Sequence, residues 1–105
     1  MSTTHIQITS IRIVEEELEL TLAELCQACN APQASVVAWV NEGILEPSGE
    51  APEDWRFTGA SLRRARKARW LAHDMEVNAP GVGIVLDLLD EIADLQARLQ
   101  RTGLD

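Results

Sequence analysis

The stretch 21-TLAELCQACNAPQASVVAWVNEGILEP-47 decides the fold. Thr21 and Glu24 have the spacing of a capping box, in which the hydroxyl accepts from the third helical N–H and the carboxylate reaches back to the cap. Asn30-Ala31-Pro32 breaks that first helix and starts a second, which Gly43 stops. Two short helices joined by a tight turn predict a helix-turn-helix. In a DNA reader of that kind the second helix enters the major groove and carries Arg or Lys for phosphates and Arg, Asn or Gln for base edges. Residues 32–42 contain no Arg and no Lys. At 100° per residue, Val36, Trp39 and Val40 turn inward. Ala34, Ser35, Ala38, Asn41 and Glu42 turn outward, a small and weakly acidic surface. The scaffold is that of a nucleic-acid module, and its chemistry is not.

Charge argues the same way. The 105 residues carry a formal net charge of −8, which repels a polyanion unless cations cluster locally. They do so once. Residues 1–54 set Arg12 against ten acids, residues 55–70 hold six cations and no acid, and residues 71–105 set two arginines against seven acids. A partner therefore meets either one short basic helix or an acidic surface.

The N-terminal residues are the least regular part. Ile6, Ile8, Ile11 and Ile13 alternate with polar residues in the manner of a half-buried strand, and Leu18 and Leu20 resume the alternation after Glu15-Glu16-Glu17. Residues 1–20 are read as a leader or as short strands that pair with a wing. No positive region precedes an apolar core, so they are not a secretory signal. The longest uncharged apolar run, Ala79 to Leu86, falls far short of the ~20 residues of a spanning helix. The expected location is the cytoplasm, with no membrane contact.

Cys26 and Cys29 form a C-x-x-C. A structural zinc site needs four ligands, and the chain adds only the isolated His5 and His73. A redox motif belongs at a strand-to-helix junction. Here Leu22, Leu25, Cys26 and Cys29 follow i, i+3, i+4, i+7, so both sulfurs belong to the buried stripe of the first helix. No metal and no cofactor is expected.

After Gly43, the apolar Ile44 to Glu46 and the alternating Trp55-Arg56-Phe57 predict a two-stranded wing. Thr58 then caps a third helix of about 16 residues. Its apolar arc is Leu62, Ala65, Ala68, Leu71, Ala72 and Met75. The opposite side carries Arg63, Arg66 and Lys67 around Trp70. Cations beside an aromatic suit nucleic acid; they also serve to neutralise the acids elsewhere in the chain.

Asn78 and Pro80 open a final helix running to about Arg101. Val82, Ile84, Val85, Leu86, Leu88, Leu89, Ile92, Leu95 and Leu99 cover well over half its circumference, more than one neighbouring face can bury. Leu88, Ile92, Leu95 and Leu99 step by 4, 3 and 4, the seam of a coiled coil, and predict a homodimer through this helix. The other side is acidic, with Asp87, Asp90, Glu91 and Asp94 in one arc. Asp87–Glu91 and Asp90–Asp94 are repulsive i, i+4 pairs, which points to a basic partner. Glu42 and Glu46 near the wing form a competing acidic patch. Three units follow: residues 1–20, a winged helix-turn-helix over 21–77, and a C-terminal amphipathic helix over 78–105. The fold class is mainly α.

No Ser-His-Asp set and no Gly-rich phosphate loop is present, and His73–Asp74, adjacent on a helix, point in different directions; the chain does not read as an enzyme.

Glu42-Gly43-Ile44-Leu45-Glu46-Pro47, Trp55-Arg56-Phe57 and a long basic helix together resemble the N-terminal domain of MerR-type regulators. Arg66, Arg69, Leu71, Asp74, Asn78 and Pro80-Gly81, followed by the run from Leu86 to Leu95, resemble the chaperone-modulator CbpM family over residues 20–100. Where MerR-type readers carry an Arg-Tyr-Tyr-like run before the glycine, this chain has Val37, Ala38 and Trp39. That departure argues against DNA binding. The resemblance implies an inhibitor that grips the J-domain of a curved-DNA-binding type co-chaperone and blocks its productive contact with Hsp70. The alternative is a MerR-like transcriptional regulator that uses the basic third helix on DNA.

Overall fold

A computed structural model describes residues 18–103. The alternation read in Ile6 to Ile13 lies outside the described residues. Helix α1 spans Leu22–Cys29 and α2 Gln33–Asn41. A single 3-10 turn, Pro52–Asp54, leads to α3, Gly59–Arg69, which runs on without a break into a π-helical turn at Trp70–Asp74. Helix α4 spans Ala79–Thr102. Among the described residues the fold is mainly helical.

Each helix starts where local chemistry predicts. The Glu24 N–H donates to Thr21 Oγ1 at 3.2 Å and the Thr21 N–H donates to Glu24 Oε1 at 2.8 Å, closing the capping box. The Ser61 N–H donates to Thr58 Oγ1 at 3.2 Å, and the Gly81 N–H to Asn78 Oδ1 at 2.8 Å. Gly81 has no room for a side chain: a Cβ there would stand 2.7 Å from Val77 Cγ1 and 3.0 Å from the capping Asn78 oxygen. Asn30 ends α1 in the left-handed region at φ 55°, a conformation asparagine tolerates better than most residues.

Leu25, Val36, Trp39, Phe57, Val82 and Leu86 make the centre of the core, each at most 2 % exposed. Ala65 and Ala68 are wholly buried and lack bulk, so α3 lies close against α1 on one side and α4 on the other. Met75, assigned to the buried arc, is instead 57 % exposed, because the α-helix gives way to the wider π turn before reaching it.

The wing differs from expectation. Gly43 reverses the chain at φ +75°, and the Ile44 N–H donates to Trp39 O at 2.8 Å. Ile44 and Leu45 fold beneath α2 and are buried at 4 % and 2 %, so they enter the core rather than pairing with Trp55 to Phe57. Pairing passes to Ser48, which exchanges two backbone hydrogen bonds of 3.0 Å with Arg56. Phe57 pairs instead with Leu20 through two bonds of 2.8 Å, fastening the segment ahead of α1 to the wing region. Among the described residues the hairpin is thus reduced to isolated antiparallel bridges. Trp55 and Phe57 both point inward, edge to face at 6.0 Å.

Candidate partner-binding surface

The outward face of α2 carries no cation, and Ala34, Asn41 and Glu42 on it are exposed. Of the two acidic candidates in sequence, the one on α4 is engaged by a single side chain, Arg64. Arg64 lies on α3 at the edge of its buried arc and is only 26 % exposed. Its Nε donates to the Ile44 carbonyl at 2.7 Å, its Nη1 to Asp90 Oδ2 at 2.8 Å and its Nη2 to Asp87 Oδ1 at 3.3 Å. The planar fork of an arginine reaches three separated acceptors from three different nitrogens, whereas a lysine's donors all sit on one. Arg64 also lines a recess of about 350 Å³ with Glu46. Asp87 and Asp90 are therefore gathered around a single guanidinium, while Glu46 shares only that recess with Arg64.

Glu91 and Asp94 continue the acidic arc along α4, both exposed, and Asp94 accepts from Arg98 Nη2 at 3.0 Å one turn on. Glu42 stands apart at the end of α2. The carboxylates of Asp87 and Asp90 keep 79 % and 66 % of their surface, so engagement with Arg64 leaves them open to a partner.

Beside this arc runs the apolar one. Leu88, Ile92, Leu95 and Leu99 are 58 %, 49 %, 46 % and 47 % exposed, and beyond Leu86 no described side chain of α4 is buried. The 24 residues of α4 reach about 36 Å, most of the 44 Å longest extent of the molecule, so its distal half projects from the core.

Arg64 and Arg69 carry structural bonds that reading the outward stripe alone overlooks. Arg69 Nε donates to the Asn30 carbonyl at 2.6 Å, holding the left-handed end of α1. At 100° per residue the two arginines fall on opposite edges of the apolar arc of α3, a signal that was present in the sequence. His73 and Asp74 also depart from expectation. In the widened π turn the two neighbours meet, Nδ1 to Oδ1 at 2.9 Å, on an exposed surface. Cys29 is buried, and Cys26 is half-buried. Burial pushes both thiols above their ordinary pKa, which suppresses the reactive thiolate. Among the described residues, no three His, Cys, Asp or Glu side chains converge as metal ligands. None of the described helices is long and apolar enough to cross a membrane.

A family model described as MerR HTH family regulatory protein matches residues 20–103, all four helices. A chaperone modulatory protein CbpM of Coxiella burnetii is 37 % identical over 94 residues, covering 90 % of this chain and 89 % of the relative. The protein of the same name from Pseudomonas putida is 35 % identical over 80 residues, covering 76 % of this chain and 79 % of the relative. The chain belongs to the CbpM family, within the MerR-like helix-turn-helix proteins. These CbpM relatives are named as chaperone modulators and the wider family as regulators, neither as an enzyme.

Proposed function

We propose that this protein is a non-enzymatic chaperone modulator, a cytoplasmic homodimer that binds the J-domain of a co-chaperone and blocks its productive contact with Hsp70. The observation that carries the reading is the acidic surface of α4: Asp87 and Asp90 held by Arg64 and extended by Glu91 and Asp94, with Glu46 exposed on the wing. The J-domains implied by the family resemblance present a basic second helix, the natural counterpart of such a surface. Exposed carboxylates steer a basic partner from a distance and fix its register on contact. Asp87 and Asp90 arrive pre-ordered by Arg64, so little side-chain freedom is lost on docking. The exposed seam Leu88, Ile92, Leu95 and Leu99 supplies the dimer contact.

The test is ATP hydrolysis by the host Hsp70, stimulated by its J-domain co-chaperone, with and without this protein. A dose-dependent fall in the stimulated rate, with the unstimulated rate unchanged, is expected. An unaltered stimulated rate together with no measurable binding to any host J-domain protein overturns the reading. The transcriptional alternative relies on the outward stripe of α3, Arg63, Arg66 and Lys67 around Trp70. A mobility shift with duplex DNA that weakens steeply with salt would restore it.

A further inference from the structure

A second surface has the opposite sign. Between α3 and the proximal half of α4 lies an open groove of about 410 Å³, lined by Arg63, Arg66 and Lys67, by the Arg64–Asp90 pair, and by Leu86 and Leu89. Arg63 is engaged within the protein. Arg66 and Lys67, by contrast, have no hydrogen-bond or ion-pair partner among the described residues. In a chain with 17 acids and nine Lys and Arg, two cations left without a counter-charge on one groove are conspicuous. Trp70, one turn beyond Arg66, is 50 % exposed, and Leu89 is 42 % exposed, so the cations are interleaved with apolar surface.

We infer that this groove docks an acidic, amphipathic helical segment of a partner protein at its Arg66 and Lys67 side, away from the Arg64–Asp90 pair that it shares with the acidic surface of α4. Carboxylates spaced at i, i+3 and i+4 on such a segment meet Arg66 and Lys67, and its aliphatic edge covers Leu89 and Trp70. Duplex DNA fits less well. It would present phosphates to few cations and gain nothing from Leu89. The site thus selects for a ligand that is both anionic and apolar.

The probe is a dye-labelled synthetic peptide of about four helical turns, with Glu at i, i+3, i+4 and i+7 and Leu along one edge, followed by fluorescence anisotropy on the full chain. Binding is expected at low salt. The Arg66→Glu, Lys67→Glu double variant should weaken it ~10-fold or more, as should replacing the peptide's Leu by Ser at equal charge. Should the reversal compromise folding, as judged by circular dichroism, Arg66→Gln with Lys67→Gln serves in its place. Glu91→Gln with Asp94→Asn should leave peptide binding intact, which keeps this test apart from that of the J-domain surface. Three results overturn the proposal: peptide affinity unchanged in the Arg66 and Lys67 variants, tighter binding of a DNA duplex of equal charge, or a fall in oligomer mass caused by those variants, which would place a second copy in the groove.

Discussion

Arg64 on the third helix and Asp90 on the fourth meet at 2.8 Å across 26 residues of sequence, and the same guanidinium holds the turn that follows α2 through the Ile44 carbonyl. One side chain thereby fixes the position of α4 relative to the helix-turn-helix and sets the acidic surface in place. Replacing Arg64 by Met should cost about 1–3 kcal/mol, mostly from the stranded Ile44 carbonyl rather than from the exposed carboxylates. Urea unfolding followed by circular dichroism measures it, and Arg64→Lys should recover only part of the loss.

Charge reversal at Glu91 and Asp94 should weaken J-domain binding by ~1–3 kcal/mol if both carboxylates meet cations. This pair is a cleaner choice than one including Asp90, where a lysine would confront Arg64. A lysine at 91 gains Asp87 one turn earlier while a lysine at 94 loses Arg98, so the thermal midpoint should hardly move. Calorimetric titration against the J-domain decides. Affinity equal to the parent's would remove these two residues from the site.

Leu95→Asp with Leu99→Asp should convert a dimer to a monomer in light scattering at micromolar concentration. Both side chains lie outside the core, so the monomer should keep its helical content up to Leu86. An unchanged dimer mass places the interface elsewhere.

The capping box makes α1 sensitive to acid. Hydrogen bonds from the Thr21 backbone and side chain hold the Glu24 pKa below its ordinary 4.5. A depressed carboxylate contributes stability that is fully present above the unfolded value and is lost as pH falls through the folded one. Stability should therefore decline on acidification below 4.5, and Glu24→Gln should flatten that part of the profile. A parallel decline in parent and variant would show that other carboxylates govern it.

Cys29 should alkylate much more slowly than Cys26 in the native state, since it is 4 % exposed and its sulfur faces the core, and both should label together in urea. Mass spectrometry of timed iodoacetamide reactions distinguishes them. Equal native rates would contradict the burial of Cys29.

What was legible in sequence was what depends on near neighbours. Thr21, Thr58 and Asn78 were recognisable as caps because the groups that satisfy them are three residues away. The failure at the wing was of another kind. Whether Ile44 continues as a strand or dives inward is settled by Trp39 and by Arg64, 20 residues downstream, and strand alternation cannot report that. The engagement of Asp87 and Asp90 by Arg64 is hidden for the same reason: it forms only once α4 packs on α3. The His73–Asp74 contact escaped because a regular 100° step was assumed where the turn is wider.

The projection of α4 beyond Leu86 has a dynamic consequence. Amides in its distal half are protected by backbone hydrogen bonds alone, so they can exchange with solvent by local fraying without opening the layer between Val82 and Ala65. An apolar stripe that no described side chain covers should let that half of the helix open as its own unit, its order rising with whatever seals it. Protection factors past Leu86 should then climb with protein concentration while those of α1 stay level, making the tail a reporter of its own occupancy.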